Sequence, residues 1–233
     1  MEVCCGNIAS VRAAIEGGAD RVELCRDLEL DGLTPSREMI CEAVGLCHPA
    51  GLLVHVLIRS REGDFVYDDT EVKKMADEIG MAITEGADGV VVGALTPGGD
   101  IDTAACRKWI DAVRQAVGDQ RRNVTFHRAF DVCDDPLEAI GQIARLGCNR
   151  ILTSGQQATA EQGIPLLRQL VEKAREISAK SGHELGILCG AGVNTHNAST
   201  ILKATGATEI HGSLRTGLVS DAEKIRLVKE AIS

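Results

Sequence analysis

The chain has 233 residues, a length that allows one large domain or two small ones. Hydrophobic residues make up 44% and charged residues 25% of the sequence, which is typical of a globular protein and argues against a disordered chain. The net charge of −9 and the lack of a basic stripe argue against a nucleic-acid partner.

Hydropathy and cysteine usage bear on location. No stretch approaches the roughly 18 uninterrupted apolar residues of a membrane helix, and no secretory signal is visible at the start. The nine cysteines include no CxxC pair, so neither a disulfide framework nor a structural zinc site is indicated. We therefore expect a cytoplasmic protein without a membrane partner.

Short β-branched runs alternate with longer amphipathic segments along the whole chain. The predicted strands are residues 2–5, 21–24, 52–58, 89–93, 123–128, 150–154, 185–190 and 209–213. The predicted helices include residues 71–85, 104–117, 136–146, 161–180 and 221–232. Eight strands alternating with helices indicate a parallel sheet that is covered on both faces.

A repeated glycine distinguishes a closed sheet from an open one. Gly18, Gly86, Gly147 and Gly206 each precede a short loop and a strand, at spacings of roughly 60 residues. Each spacing fits two strand–helix units, so the repeats predict an eight-stranded (β/α)8 TIM barrel, as one domain over residues 1–233. The alternative, an open Rossmann-type sheet, would have a GxGxxG motif after its first strand, and the sequence lacks one.

The predicted barrel interior is unusually polar. Because strand residues alternate between the interior and the helix layer, one parity of each strand points inward. That parity selects Glu2, Cys4, Arg21, Glu23, Cys25, His55, Arg59, Glu209, His211 and Ser213. These side chains form either a functional pocket at the carboxyl ends of the strands or a set of internal ion pairs that only stabilise the fold.

Strand five ends in a cluster of chemically active side chains. His127 and Asp131 are candidates for a general base or acid, and Arg128 is suited to neutralise an anionic group, although a structural role is the alternative. The full set of candidate proton-transfer residues is Glu23, His55, His127, Asp131 and His211.

Other residues are candidates for binding an anion. Arg59 and Arg61 suit a carboxylate or phosphate, unless an Arg–Asp64 pair merely orders their loop. Glycine-rich turns follow strands seven and eight, where many barrels present backbone N–H groups to phosphate. The candidate ligand-binding residues are Arg59, Arg61, Arg128, Ser154, Gly190, Gly192, Gly212 and Ser213.

Two cysteines fall at the ends of adjacent predicted strands. Neighbouring strands lie about 4.8 Å apart, so in-register thiols of Cys4 and Cys25 could share one soft metal ion. Two thiolates suit Cu(I), with a histidine or Cys189 as a third ligand. The alternative is a pair of unreactive core thiols.

At these residues the chain resembles the CutC family of copper homeostasis proteins. The matching segments are residues 2–4, 18–25, 32–36, 63–67, 125–131, 152–156 and 191–193. The resemblance implies a TIM barrel, a cytosolic location, a role in copper handling and copper ligands at Cys4 and Cys25, but no established reaction. Ser60 departs from the family's Arg-Pro-Arg pattern, and residues 214–220 are shorter than in many members.

These observations lead to two hypotheses. In the first, the protein serves copper homeostasis and binds Cu(I) through Cys4 and Cys25. In the second, it is a TIM-barrel enzyme that acts on a small anionic or phosphorylated metabolite by general acid/base chemistry. The sequence leaves open whether the protein is an enzyme and whether it forms a homo-oligomer.

Overall fold

The computed structural model describes residues 1–117 and 122–233. Eight parallel strands pair in chain order, and β8 returns to pair with β1, so the sheet is a closed barrel. The strands are Glu2–Cys5 (β1), Arg21–Leu24 (β2), Leu53–Leu57 (β3), Gly89–Val92 (β4), Asn123–Phe126 (β5), Arg150–Thr153 (β6), Gly186–Cys189 (β7) and Glu209–Gly212 (β8). The predicted TIM barrel is confirmed.

Helices follow the strands and cover the outside of the barrel. They are Ile8–Glu16 (α1), Arg37–Cys47 (α2), Asp69–Thr84 (α3), Thr103–Val117 (α4), Pro136–Leu146 (α5), Ile164–Ser181 (α6), Ala198–Thr205 (α7) and Ala222–Ile232 (α8). Helix α6 begins three residues later than predicted, because Gly163 takes the N-cap position and a proline follows in the first turn. Between β8 and α8 lies an antiparallel hairpin that the sequence did not predict, formed by Arg215–Thr216 (β9) and Val219–Ser220 (β10).

The repeated glycines mark the entry to every second strand. Gly18, Gly86, Gly147 and Gly206 have φ angles of 75°, 100°, 97° and 75°, and they precede β2, β4, β6 and β8. A side chain rarely adopts these angles, so glycine ends the preceding helix at low cost. The four glycines therefore divide the barrel into four pairs of strand–helix units, as predicted.

The two faces of β3 have opposite character. On β3, Val54, Val56 and the following Ile58 join the main apolar core under the helices. His55 and Arg59 alternate with them and are also buried. This confirms the predicted parity of β3, and it places a polar layer inside the barrel.

Among the described residues, no helix is both long and apolar enough to cross a membrane.

Candidate functional site

A cavity of about 450 Å³ opens at the carboxyl ends of the strands, where TIM barrels carry their catalytic residues. The candidate residues that line it are Cys4, Glu23, Arg59, His127, Arg128, Asp131, Gly192, His211, Gly212 and Ser213. Within the described part of the chain, five other candidates are not among its lining residues: Cys25, His55, Arg61, Ser154 and Gly190.

The amino-terminal half of the barrel interior holds a network of ion pairs. Arg21 lies between two carboxylates, with its Nε 2.5 Å from Glu2 Oε2 and its Nη2 2.7 Å from Glu209 Oε2. Arg150 Nε donates to the same Glu209 at 2.7 Å. Burial opposes ionisation of Glu2, but Arg21 and His211 hold its pKa well below the usual range. This lower layer matches the alternative of internal pairs that stabilise the fold.

His55 belongs to that lower layer and not to the cavity. Its ring is fully buried, and neither ring nitrogen has a hydrogen-bond partner among the described residues. Burial lowers its pKa to about 4, so the ring is neutral at pH 7. The expectation that His55 moves protons for a ligand is therefore not supported by its position.

Cys4 and Cys25 bring their sulfur atoms together at the edge of the cavity. The two Sγ atoms are 3.8 Å apart, Cys4 is 8% exposed and Cys25 is fully buried behind it. The strands are not in the register that we expected, because Cys4 is paired with Glu23 and Cys25 lies two residues further along the chain. The contact is thus diagonal, and it is made by the side chains reaching towards each other.

The donor set fits a soft metal ion. Two sulfurs that each bond one metal ion at about 2.3 Å with a tetrahedral angle lie roughly 3.8 Å apart. The contact with Cys25, together with burial, raises the pKa of Cys4 well above its usual value, so a metal ion must displace thiol protons to bind. Cys189 supplies no third ligand: it points to the opposite face of β7, packed in the main core next to the helices.

His211 lies between two carboxylates at the floor of the cavity. Its Nδ1 is 2.8 Å from Glu2 Oε1, and its Nε2 is 3.7 Å from Glu23 Oε2. Burial opposes protonation of the ring, but Glu23 together with Cys4 and Glu2 raises the pKa of His211 well above its usual value. Burial likewise raises the pKa of Glu23. The two groups therefore titrate as a coupled pair that can hold or move one proton.

His127 lines the opposite wall of the cavity. Its Nδ1 accepts a hydrogen bond from the backbone N–H of Ala129 at 3.1 Å, which leaves the ring proton on Nε2. Burial, and then the charge of Arg59, lower the pKa of His127 to about 3. Because the ring is neutral and its lone pair is occupied, it is placed to donate a hydrogen bond and not to act as a general base, one of the two roles for which it was a candidate.

Glycine makes room for that imidazole. A Cβ on Gly93 would lie 2.5 Å from His127 Nδ1, so the ring packs directly over the backbone after β4. Phe65 covers the ring from the loop after β3, with the ring centroids 5.0 Å apart. These contacts fix the plane of the imidazole.

Asp131 and Arg128 hold the loop after β5 in place. Asp131 accepts hydrogen bonds from the Thr153 hydroxyl, from the backbone N–H groups of Ser154 and Gln156, and from Arg128 Nε at 2.7 Å. Both carboxylate oxygens are engaged, which fits the structural alternative for Asp131. Arg128 is half-exposed and keeps part of its guanidinium at the cavity mouth.

The two loop arginines have separate roles. Arg59 donates to the carbonyl oxygens of Leu30, Gly32 and Gly63, so it ties together the loops after β2 and β3 while lining the cavity. Arg61 donates to Asp64, Glu71 and three backbone carbonyls of its own loop. Arg61 therefore matches the loop-ordering residue of the alternative interpretation, and it is not among the residues that line the cavity.

The residues of the glycine-rich turns and Ser154 also divide into those that face the cavity and those that serve local packing or turns. Gly192, Gly212 and Ser213 face the cavity. Gly190 instead allows close packing, since a Cβ there would lie 2.6 Å from Leu152. Ser154 donates its hydroxyl to the carbonyl of Gln157, inside its own turn.

Sequence reasoning missed part of the lining. Leu28, Asp31 and Arg215 border the cavity from the loops after β2 and β8. Asp31 has a positive φ of 61°, which the residues around it do not predict. The loop after β2 is held by long-range hydrogen bonds from Arg59, which a local sequence pattern does not indicate. The only sequence signal for this region was the resemblance of residues 32–36 to the CutC family.

Comparison with known proteins identifies relatives across nearly the whole chain. The sequence model of the CutC family matches residues 1–216. A "family protein CutC" from Pasteurella multocida is 45% identical over 211 residues, covering 91% of this chain and 80% of the relative. One from Bacteroides thetaiotaomicron is 48% identical over 221 residues, covering 95% and 83%.

Solved structures agree with these matches. The putative copper homeostasis protein CutC from Streptococcus agalactiae superimposes with a TM-score of 0.82 at 34% identity, covering 91% of this chain and 97% of that one. A thiamine phosphate pyrophosphorylase from Pyrococcus furiosus, with a TM-score of 0.63 and 17% identity, shares the fold alone. The chain belongs to the CutC family.

Proposed function

We propose that this protein serves copper homeostasis by binding Cu(I) through the thiolates of Cys4 and Cys25. The observation that carries the proposal is the 3.8 Å contact between the two sulfur atoms beside an open cavity. Thiolates are the soft ligands that favour Cu(I), and the related protein from Streptococcus agalactiae is described as a putative copper homeostasis protein.

The surroundings of the two sulfurs suit a transient cargo. Cys4 faces the cavity, so an ion reaches this thiol first, and the buried Cys25 then supplies the second sulfur. Leu57 and Val91 form one apolar cluster with the two cysteines and keep water from the inner sulfur. All nine cysteines are free thiols, which fits the reducing cytosol that we propose as its location.

The test is a Cu(I) titration of reduced protein under anaerobic conditions, against a chromophoric Cu(I) chelator. We expect one tight equivalent in the wild type and its loss in the double variant Cys4→Ser/Cys25→Ser. Cys41→Ser is the matched control, because Cys41 is exposed on α2 and contacts Glu85. Unchanged affinity in the double variant would eliminate the proposed ligands.

A second candidate function is supported by the Glu23–His211 pair. A coupled carboxyl and imidazole at the floor of a cavity whose mouth carries Arg128 suits acid/base chemistry on a small anionic or phosphorylated metabolite. A thermal-shift screen of phosphorylated metabolites tests this, since a ligand of the native state raises the melting temperature. We expect Arg128→Gln to reduce the shift. A screen without any stabilising compound would count against the enzyme.

A further inference from the structure

We propose that Cys4, Glu23 and His211 form a second kind of metal site, one for a divalent ion of the zinc type. One donor atom from each residue lies within 4.8 Å of the other two, and all three side chains are buried. All three also line the cavity, so an ion bound there would keep a fourth position open to it. The site shares only Cys4 with the proposed Cu(I) pair.

The chemistry of the donors selects the ion. A thiolate, an imidazole and a carboxylate are all ordinary ligands of Zn²⁺, whereas a carboxylate adds little to the binding of soft Cu(I). The gap of 3.7 Å between His211 Nε2 and Glu23 Oε2 is a few tenths of an ångström longer than the roughly 3.4 Å between a nitrogen and an oxygen ligand of a tetrahedral zinc site. Three protein ligands with one open position are typical of catalytic zinc and not of structural zinc.

An independent feature of the site is the partner of the remaining imidazole nitrogen. His211 Nδ1 faces Glu2 Oε1 at 2.8 Å, and Glu2 is itself anchored by Arg21. Metal-binding histidines commonly donate their second N–H to a carboxylate, which fixes the tautomer and directs the free nitrogen at the ion. Here that arrangement turns Nε2 towards Glu23 and Cys4.

The assignment predicts how binding couples to protons and ligands. An entering Zn²⁺ must displace the thiol proton of Cys4 and the proton shared by His211 and Glu23. Once bound, the ion presents a Lewis acid to the cavity that His127 and Arg59 also line. A small anion that reaches the open position is the expected fourth ligand.

The test uses Co²⁺ and Zn²⁺ on reduced protein without oxygen. We expect one equivalent of Co²⁺ to give the charge-transfer band of a cobalt–thiolate bond, and one equivalent of Zn²⁺ to abolish it. Glu23→Gln, which keeps the shape of the side chain, should weaken Zn²⁺ binding at least tenfold, and Glu2→Gln should weaken it about 10- to 100-fold. Cys25→Ser should still bind one equivalent of Zn²⁺, because Cys25 supplies no ligand to this site.

The variants separate this inference from the copper proposal. Glu23→Gln should retain the wild-type affinity for Cu(I), and Cys25→Ser should lose Cu(I) while it retains Zn²⁺. As a check that does not depend on a variant's folding, Zn²⁺ should protect Cys4 of the wild type from alkylation, measured by mass spectrometry. No cobalt–thiolate band in the wild type, or equal Zn²⁺ affinity in wild type and folded Glu23→Gln, would overturn the inference and leave the Cu(I) pair untouched.

Discussion

The diagonal placement of Cys4 and Cys25 separates two reactions that paired thiols can undergo. Strands about 4.8 Å apart, with a further offset of two residues of about 3.3 Å each, put the two Cα atoms roughly 8 Å apart. Disulfides rarely span more than about 7 Å between Cα atoms. The same side chains nevertheless hold their sulfurs 3.8 Å apart, at a distance that one metal ion bridges. The geometry therefore favours metal binding over oxidation.

We expect Cys4 and Cys25 to resist disulfide formation. After treatment with diamide and glutathione, the exposed Cys41 should carry a mixed disulfide, while Cys4 and Cys25 remain thiols. Peptide mapping under non-reducing conditions measures both outcomes in one sample, so Cys41 serves as the internal control. A cross-linked peptide containing Cys4 and Cys25 in good yield would show that the strands move far enough to close the bond.

At single positions, the sequence predicted which side chains enter the barrel better than what they contact. Parity placed Glu23, Arg59 and His211 inside, because alternation along a strand is a local property. The diagonal contact of Cys4 with Cys25 depends on the register of two strands. The hydrogen bonds that hold Arg61 within its own loop depend on where the backbone carbonyls of that loop point. Neither can be read from residue types alone.

At the scale of elements, helix α3 anchors the loop that covers one side of the cavity. The Asp68 side chain accepts from the Glu71 backbone N–H at 2.8 Å, and Glu71 accepts in return from the backbone N–H of Asp68 at 3.0 Å. The other oxygen of Glu71 accepts from Arg61 Nε at 2.6 Å. This capping box therefore continues into the loop that carries Arg59 and Phe65 to the cavity.

Removing the N-cap side chain of α3 should lower the stability of the protein without changing any of the proposed metal-binding residues. We expect Asp68→Ala to lower the free energy of unfolding by about 1 kcal/mol, the usual value of an N-cap side chain. Asp69→Ala is the matched control, because Asp69 is one residue away and pairs with Lys108 in an exposed ion pair of little expected energy. Urea unfolding of the three proteins measures the difference. Equal losses for both variants would mean that the capping hydrogen bonds contribute nothing beyond surface charge.

The order of elements was predictable because each strand–helix unit repeats the same local signals. All eight predicted strands coincide with observed ones to within two residues at either end. The β9–β10 hairpin was not predicted, since its two-residue strands carry no periodic pattern. The position of the loop after β2 could not be predicted from the sequence either, because long-range hydrogen bonds from Arg59 hold it.

At the scale of the whole molecule, the barrel encloses two neutral imidazoles. Burial is the main cause that lowers the pKa of His55 to about 4 and that of His127 to about 3. In the unfolded chain both titrate near 6.5, so below that pH the unfolded state binds more protons than the native state. The stability from keeping these rings neutral is present above pH 6.5 and is lost as the pH falls.

That difference sets the expected acid sensitivity. Between pH 6.5 and about pH 5, each buried histidine should remove roughly 1.6 kcal/mol from the free energy of unfolding, because the slope rises from about half of 1.36 kcal/mol per pH unit at the unfolded pKa to nearly the full value below it. His127→Phe keeps an aromatic ring over Gly93 but has no group that titrates, so its stability should fall less steeply over this range than that of the wild type. The carboxyl groups are the same in both proteins, so their contribution to the pH dependence of stability cancels in the comparison.

The comparison of slopes also removes the cost of the substitution itself. His127→Phe leaves the Ala129 N–H without its acceptor, which lowers stability by the same amount at every pH and so leaves the slope unaffected. Phe65→Leu is the matched control, because it alters the same aromatic contact and keeps the imidazole. Urea unfolding at a series of pH values should give parallel curves for the wild type and Phe65→Leu, and a flatter one for His127→Phe. Parallel curves for all three would mean that His127 has the same pKa in the folded protein as in the unfolded chain.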